Sequence, residues 1–166
     1  MTEDYRLLAA VIAAHPNREV VGRTRLQKTM KLLQSLGLGT KFSYSIHFYG
    51  PYSEDLQAGL TLLEALGLAK EEQRQKQDGD GVYYVEKAGK AADPKLAEKF
   101  QKPIDLMAGT DQIVLELAAT YQTFREEHNG HEEALDRLRH KKGNKCDHGN
   151  EKKALELLTK LGLKAA

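Results

Sequence analysis

Three amphipathic helices are predicted in the first 67 residues of the chain. Apolar side chains recur every three or four positions over residues 3–14, 25–36 and 54–66, which is the period of a helix that buries one face. The second and third of these helices end at Gly37 and Gly67, because glycine readily takes the left-handed conformation that closes a helix.

Two of these helices carry a hydroxyl side chain at their predicted start. Thr24 can accept a hydrogen bond from the first turn of the second helix while Gln27 reaches back, which is the capping-box pattern. Ser53 precedes Glu54 and Asp55, so a cap and two carboxylates stand at the positive end of the third helix.

A β-hairpin is predicted directly after the third helix. Asp78-Gly79 and Asp80-Gly81 supply the positive φ angles of a tight turn, and Val82–Val85 is the β-branched and aromatic run of a return strand. A further strand is predicted over residues 41–49, where apolar and polar residues alternate. Helices followed by a hairpin indicate a winged helix, whose wing can contact nucleic acid or a partner protein.

The second half of the chain is predicted to be helical. Its expected helices span residues 95–106, 110–127, 131–140 and 150–161. The fold is therefore predicted to be α+β, mainly α with a small β-hairpin. We expect a winged-helix-like domain over residues 1–92, with a C-terminal helical extension, residues 93–166, packed on it.

Composition and charge narrow the classes of function. The 166 residues are 40% apolar and 30% charged with a net charge of +1, so no overall field draws the chain to DNA or to an acidic membrane. No apolar run approaches a membrane span, and Met1 to Asp4 is acidic where a signal peptide would be basic. A lone cysteine, Cys146, rules out an intramolecular disulfide. We therefore expect a cytoplasmic protein with no membrane contact.

Several short motifs resemble a known family in their order and spacing. They are Gly22-Arg23-Thr24-Arg25-Leu26-Gln27-Lys28, Phe48-Tyr49-Gly50-Pro51-Tyr52-Ser53, Leu60 to Leu68, and Ala154 to Leu163. Together they resemble the YwgA-like family of small prokaryotic proteins and, more distantly, the SocA-type antitoxin domain called Panacea. The resemblance implies a winged-helix-like core of unassigned or regulatory role, with toxin neutralisation and protein docking in the more distant group. It implies no catalytic residues.

Basic residues on the second helix and the hairpin form the first candidate site. Arg25, Lys28 and Lys31 are three residues apart and so line one stripe of a helix, from which they could contact phosphates. The predicted nucleic-acid-binding residues are Arg23, Arg25, Lys28, Lys31, Lys70, Arg74 and Lys76. The alternative interpretation is a solvated helix face beside a charged hairpin.

A tyrosine-rich corner forms the second candidate site. Tyr49 and Tyr52 flank a stiff Gly-Pro pair, and aromatic rings with a polar tip are common at interfaces. With Glu54 and Asp55, which would repel phosphates, they are the predicted contacts of a partner protein. The alternatives are that the aromatic residues anchor the corner in the core and that the carboxylates only cap the third helix.

The sequence gives little indication of a metal site or of catalysis. The C-terminal half could supply zinc ligands from the set His128, His131, His140, Cys146 and His148. Their spacing is looser than in a closed zinc site, so no metal or other cofactor is predicted, and no catalytic triad or phosphate loop is evident. We therefore expect a non-enzymatic regulatory protein that binds DNA. The alternative is an antitoxin-type module that docks a partner protein, and the C-terminal helices could form a homodimer.

Overall fold

The computed structural model describes residues 1–163, and within them the predicted helices are confirmed to within a few residues, with one exception. The helix predicted over residues 95–106 is a 3-10 helix as far as Phe100 and an α-helix only from Gln101. The α-helices are α1 (Glu3–Ala14), α2 (Arg23–Ser35), α3 (Glu54–Ala65), α4 (Gln101–Ala108), α5 (Gln112–Glu126), α6 (His131–Lys142) and α7 (Asn150–Leu161). The strands are β1 (Glu19–Val21), β2 (Ser45–His47), β3 (Gly50–Tyr52), β4 (Ala69–Gln75) and β5 (Val82–Ala88). Short 3-10 helices span Pro16–Arg18, Pro94–Phe100 and Gly143–Cys146. The fold is mixed α+β and mainly α.

The predicted hairpin is confirmed. Strands β4 and β5 pair antiparallel from Ala69 opposite Ala88 to Gln75 opposite Val82, and β1 pairs with the other edge of β5. The turn between them places Gly79 and Gly81 at φ values of 77° and 101°, a region that glycine adopts without steric cost. The resulting sheet has the order β1-β5-β4.

The prediction of one strand over residues 41–49 is wrong. Only Ser45–His47 forms strand β2, and the chain then reverses and returns as β3. The preceding segment is held by a side chain instead of a strand, because the Gln34 amide accepts from the Phe42 backbone N–H and donates to the Phe42 carbonyl, both at 3.0 Å. Alternation alone could not reveal this competing bond.

The two predicted helix caps have different outcomes. Ser53 Oγ accepts from the Leu56 N–H at 3.2 Å, so the cap of α3 is confirmed. The Thr24 cap is wrong, because α2 begins two residues earlier than predicted, after Gly22, and Thr24 lies within the first turn. Its hydroxyl accepts a hydrogen bond from the Gln112 amide at 2.8 Å.

The apolar core is continuous between the two halves of the chain. Helix α5 lies against α2, β3, α6 and α7, so it connects the C-terminal helices to the first half. Leu8, Met30, Leu63, Leu117 and Leu158 are all fully buried members of this core. Residues 164–166, the end of the predicted C-terminal extension, lie outside the described residues. None of the described helices has the length and apolar character needed to cross a membrane.

Candidate functional site

The basic stripe of α2 does not face solvent. Lys28 and Lys31 are buried, which corrects the prediction of an exposed stripe, and Arg25 is half-buried. The Lys31 ammonium pairs with Glu126 of α5 at 2.6 Å. The Arg25 guanidinium donates to the Met107 carbonyl at 2.7 Å. These cations point inward because α4 and α5 pack against α2.

The cations of the hairpin are mostly paired within the chain. Arg23 bonds to Glu71 at 2.8 Å, and Arg74 bonds to Glu19 at 2.7 Å and Glu72 at 3.1 Å. Of the seven predicted phosphate contacts, only Lys70 and Lys76 combine an exposed side chain with an ammonium that pairs with no carboxylate within residues 1–163. The structure therefore does not bring the predicted set together on one free surface.

Three lysines lie around one buried carboxylate. The ammoniums of Lys142 and Lys145 each lie 3.0 Å from an oxygen of Glu116, and Lys28 of α2 interacts electrostatically with the same carboxylate. Burial lowers the pKa of Lys28 to about 8, although the Glu116 carboxylate opposes the effect. Burial likewise lowers the pKa of Lys142, again against the influence of Glu116. This group, which we call the lysine cluster (Lys28, Lys142, Lys145 and Glu116), carries more positive than negative charge.

Two exposed aromatic rings lie above the lysine cluster. Phe48 and Tyr49, 77% and 52% exposed, form the turn between β2 and β3, and their rings meet edge to face at 4.9 Å. The Lys145 ammonium lies 5.6 Å from the Phe48 ring centre and 5.0 Å from that of Tyr49. Lys142 donates to the Phe48 carbonyl at 2.9 Å, which fixes the backbone of this Phe48–Tyr49 turn.

Gly50, which follows the Phe48–Tyr49 turn, allows the turn to approach α5 closely. Its φ is +100°, and a Cβ at this position would lie 2.8 Å from the Thr120 hydroxyl oxygen. Only glycine therefore lets the turn sit this close to α5. Phe48 does not anchor the corner in the core, which corrects its predicted place on the apolar face of a strand.

The other predicted partner contacts are distributed around the start of α3. Glu54 and Asp55 are exposed in its first turn. Tyr52 is half-buried and stacks on His47, with ring centres 4.8 Å apart. Of the predicted partner contacts, Tyr49 is thus the one that belongs to the exposed pair of aromatic rings. The predicted site did not include Phe48. The position of His47-Phe48-Tyr49 directly before Gly50 nevertheless indicates a turn at these residues.

A cavity of about 400 Å³ opens between the first turn of α2, α3 and the hairpin sheet. Glu64, Glu71 and Glu86 line it together with Tyr52 and Tyr84, and we call it the acidic cavity. Burial, followed by the nearby Glu64 and Glu71 carboxyls, raises the pKa of Glu86 to about 8. Sequence reasoning did not predict this cavity, although Arg23 and Tyr52, which line it, belong to the two predicted sites.

The candidate zinc ligands are not brought together. The Nδ1 atom of His131 lies 2.7 Å from the buried Tyr121 hydroxyl, and burial raises the pKa of Cys146. Across the part of the chain that the structure describes, no three His, Cys, Asp or Glu side chains form a group that could hold a metal ion.

Comparison with known proteins gives one partial match of note. The chain is 36% identical over 58 residues to uncharacterized protein YwgA of Bacillus subtilis (strain 168). The chain is similar to YwgA. The matched segment covers 35% of this chain and 35% of YwgA, so it spans about a third of that relative's length. No protein-family model matches the chain.

Proposed function

We propose that this chain is a non-enzymatic regulatory protein that docks a partner protein with an acidic contact surface. The docking surface comprises the Phe48–Tyr49 turn and the lysine cluster. One observation carries the proposal: two largely exposed aromatic rings stand on a fixed turn beside the Lys145 ammonium, which shares the Glu116 carboxylate with Lys142. Aromatic anchors supply much of the binding energy of protein interfaces.

The rigidity of the turn supports a docking role. A side chain that is ordered before binding loses less conformational entropy when the complex forms. The bond from Lys142 to the Phe48 carbonyl and the close approach of Gly50 to α5 both order the turn in the free protein. The excess positive charge below it complements an acidic partner and disfavours a basic one.

Nucleic-acid binding by a winged-helix-like core is the other predicted function. The order α1, β1, α2, β2, β3, α3 and the β4–β5 hairpin is compatible with such a core. However, a phosphate footprint needs cations that face solvent. Three of the seven predicted cations pair with carboxylates inside the chain, and two more, Arg25 and Lys28, are not exposed. Lys70 and Lys76 alone support only a weak contact. We therefore favour docking, which the resemblance to the SocA-type antitoxin domain also implies.

Self-association through the C-terminal helices stays a prediction. The apolar positions that would serve such an interface, among them Leu117, Leu138 and Leu158, are buried within the chain. A dimer would have to use the polar outer faces of α6 and α7. Light scattering after size-exclusion chromatography distinguishes a monomer from a dimer.

Affinity isolation with matched variants tests the proposal. Tagged wild-type protein, the double variant F48A/Y49A and the variant K145M are used to isolate partners from the organism that makes this protein. The control is L96A, because Leu96 is 54% exposed in the 3-10 helix Pro94–Phe100. We expect wild type and L96A to retain one partner that both other variants lose. Retention of the same proteins by all four would contradict the proposal.

A further inference from the structure

The acidic cavity has the size of a site for a small molecule. At about 400 Å³ it falls in the range of pockets that enclose organic ligands. Leu26 and Leu60 provide apolar wall, while Gln57 adds an amide. The cavity shares no lining residue with the lysine cluster.

One oxygen of a buried carboxyl group in this cavity lacks a partner. Glu86 of β5 is only 7% exposed, and its Oε1 atom has no hydrogen-bond partner within residues 1–163. The adjacent Glu64 carboxyl can share a hydrogen bond with Glu86 only while one of the two groups holds a proton, because carboxylates only accept. A buried acceptor without a donor is costly, and few persist in folded proteins. A ligand with N–H groups would remove the cost.

The mouth of the cavity already holds a guanidinium. Arg23 lies over the Tyr84 ring, 3.5 Å from its centre, and donates to both oxygens of Glu71 at 2.8 and 3.3 Å. The walls thus suit a planar cation that stacks on an aromatic face and bonds to a carboxylate. Arg23 already pairs with Glu71, so the carboxyls of Glu64 and Glu86 remain for a second cation.

We propose that the acidic cavity binds a small organic cation through N–H donors to Glu86 and Glu64, the cation being a guanidinium or a primary ammonium. Its aliphatic part lies against Leu26 and Leu60. This site is separate from the docking surface, so either proposal can fail without the other.

Binding of a cation should release a proton. Glu86 faces Glu64 of α3, Glu71 of β4, Arg23 of α2 and the Tyr52 and Tyr84 rings of β3 and β5. With its pKa raised to about 8, Glu86 is mostly protonated at pH 7. A cation between the two carboxyls stabilises both ionised forms, so about one proton leaves for each molecule bound. A neutral ligand gives no such release.

Isothermal titration calorimetry of the full chain at pH 7 tests the site. The probes are n-butylguanidinium, n-butylammonium and the neutral n-butylurea, and the proteins are wild type, E86Q and E133Q. Glu133 is an exposed residue of α6 and serves as the control. We expect wild type and E133Q to bind at least one of the two cations about tenfold or more tightly than they bind n-butylurea. E86Q should bind that cation no more tightly than n-butylurea. The binding heat should differ between phosphate and Tris buffers.

The opposite results overturn the proposal. They are equal affinity for the cations and n-butylurea, no binding of any probe, or unchanged cation binding by E86Q. E86Q should keep its melting temperature, because glutamine resembles the protonated glutamic acid that wild type holds at pH 7. E64Q provides a second variant at an exposed position, and it should also lose the buffer-dependent heat.

Discussion

Replacing Lys28 with methionine should stabilise the protein. The variant keeps the apolar stem of the side chain and removes an ammonium that is buried in the lysine cluster. The cluster lowers the pKa of Lys28 from its ordinary 10.5 to about 8, and each tenfold change in acidity corresponds to about 1.4 kcal/mol. Holding the charge therefore costs the native state roughly 3 kcal/mol. This shift already includes the attraction of Glu116, so we expect a net gain of about 1 to 3 kcal/mol.

The sign of the pH dependence follows from the same pKa. Between pH 8 and 10.5 the native state binds fewer protons at Lys28 than the unfolded chain does, so the stability of wild type rises with pH across this window. Below pH 8 the penalty is present in full. The advantage of the K28M variant should accordingly be largest at pH 6.5 and should shrink towards pH 10.

Urea unfolding at pH 6.5 and 9.5 measures both effects. The matched control is K31M, because Lys31 is the other buried lysine of α2 but pairs with Glu126 at 2.6 Å. K31M should lose stability, by about 1 to 3 kcal/mol. The reasoning is refuted if K28M is less stable than wild type by more than about 1 kcal/mol at pH 6.5, since Lys28 would then be a net favourable partner of Glu116.

Three further predictions address the same surfaces. E116Q leaves the buried ammoniums of the lysine cluster without a counter-charge and should cost about 3 to 5 kcal/mol in urea unfolding, against less than about 1 kcal/mol for the exposed E127Q. G50A, whose Cβ would lie 2.8 Å from a hydroxyl oxygen, should lower the melting temperature more than G79A, whose Cβ meets nothing within 4 Å. In fluorescence anisotropy with duplex DNA, the slope of log affinity against log salt should be no steeper than about −2, because two hairpin lysines are free. A slope near −6 would contradict this expectation and would indicate that all seven predicted cations contact phosphates.

The helices and the hairpin could be predicted because their signals are local. Periodic apolar residues, the Ser53 cap and the Asp-Gly dipeptides before Val82 each act within a few positions of the chain. The strand predicted over residues 41–49 failed for the opposite reason. The amide that replaces its ladder bonds belongs to Gln34 on α2, which the alternation of residues 41–49 does not report.

The functional surfaces could be predicted only in part because they depend on packing between distant segments. Lys28 becomes a member of a buried cluster only when α5 and α6 place Glu116 and Lys142 beside it. A helical wheel of α2 alone shows the same lysine on a basic stripe. The acidic cavity is a similar case, because Glu64 of α3 and Glu86 of β5 meet only after the hairpin folds back.

Site-specific photo-crosslinking tests the docking proposal most directly. p-Benzoylphenylalanine replaces Phe48 in one protein and Leu96, an exposed residue of the 3-10 helix Pro94–Phe100, in another. Both are irradiated in cells of the organism that makes the protein, and the adducts are identified by mass spectrometry. The proposal predicts one dominant protein adduct at position 48, joined through an acidic segment of the partner, and none of that adduct at position 96. The same diffuse background at both positions would contradict it.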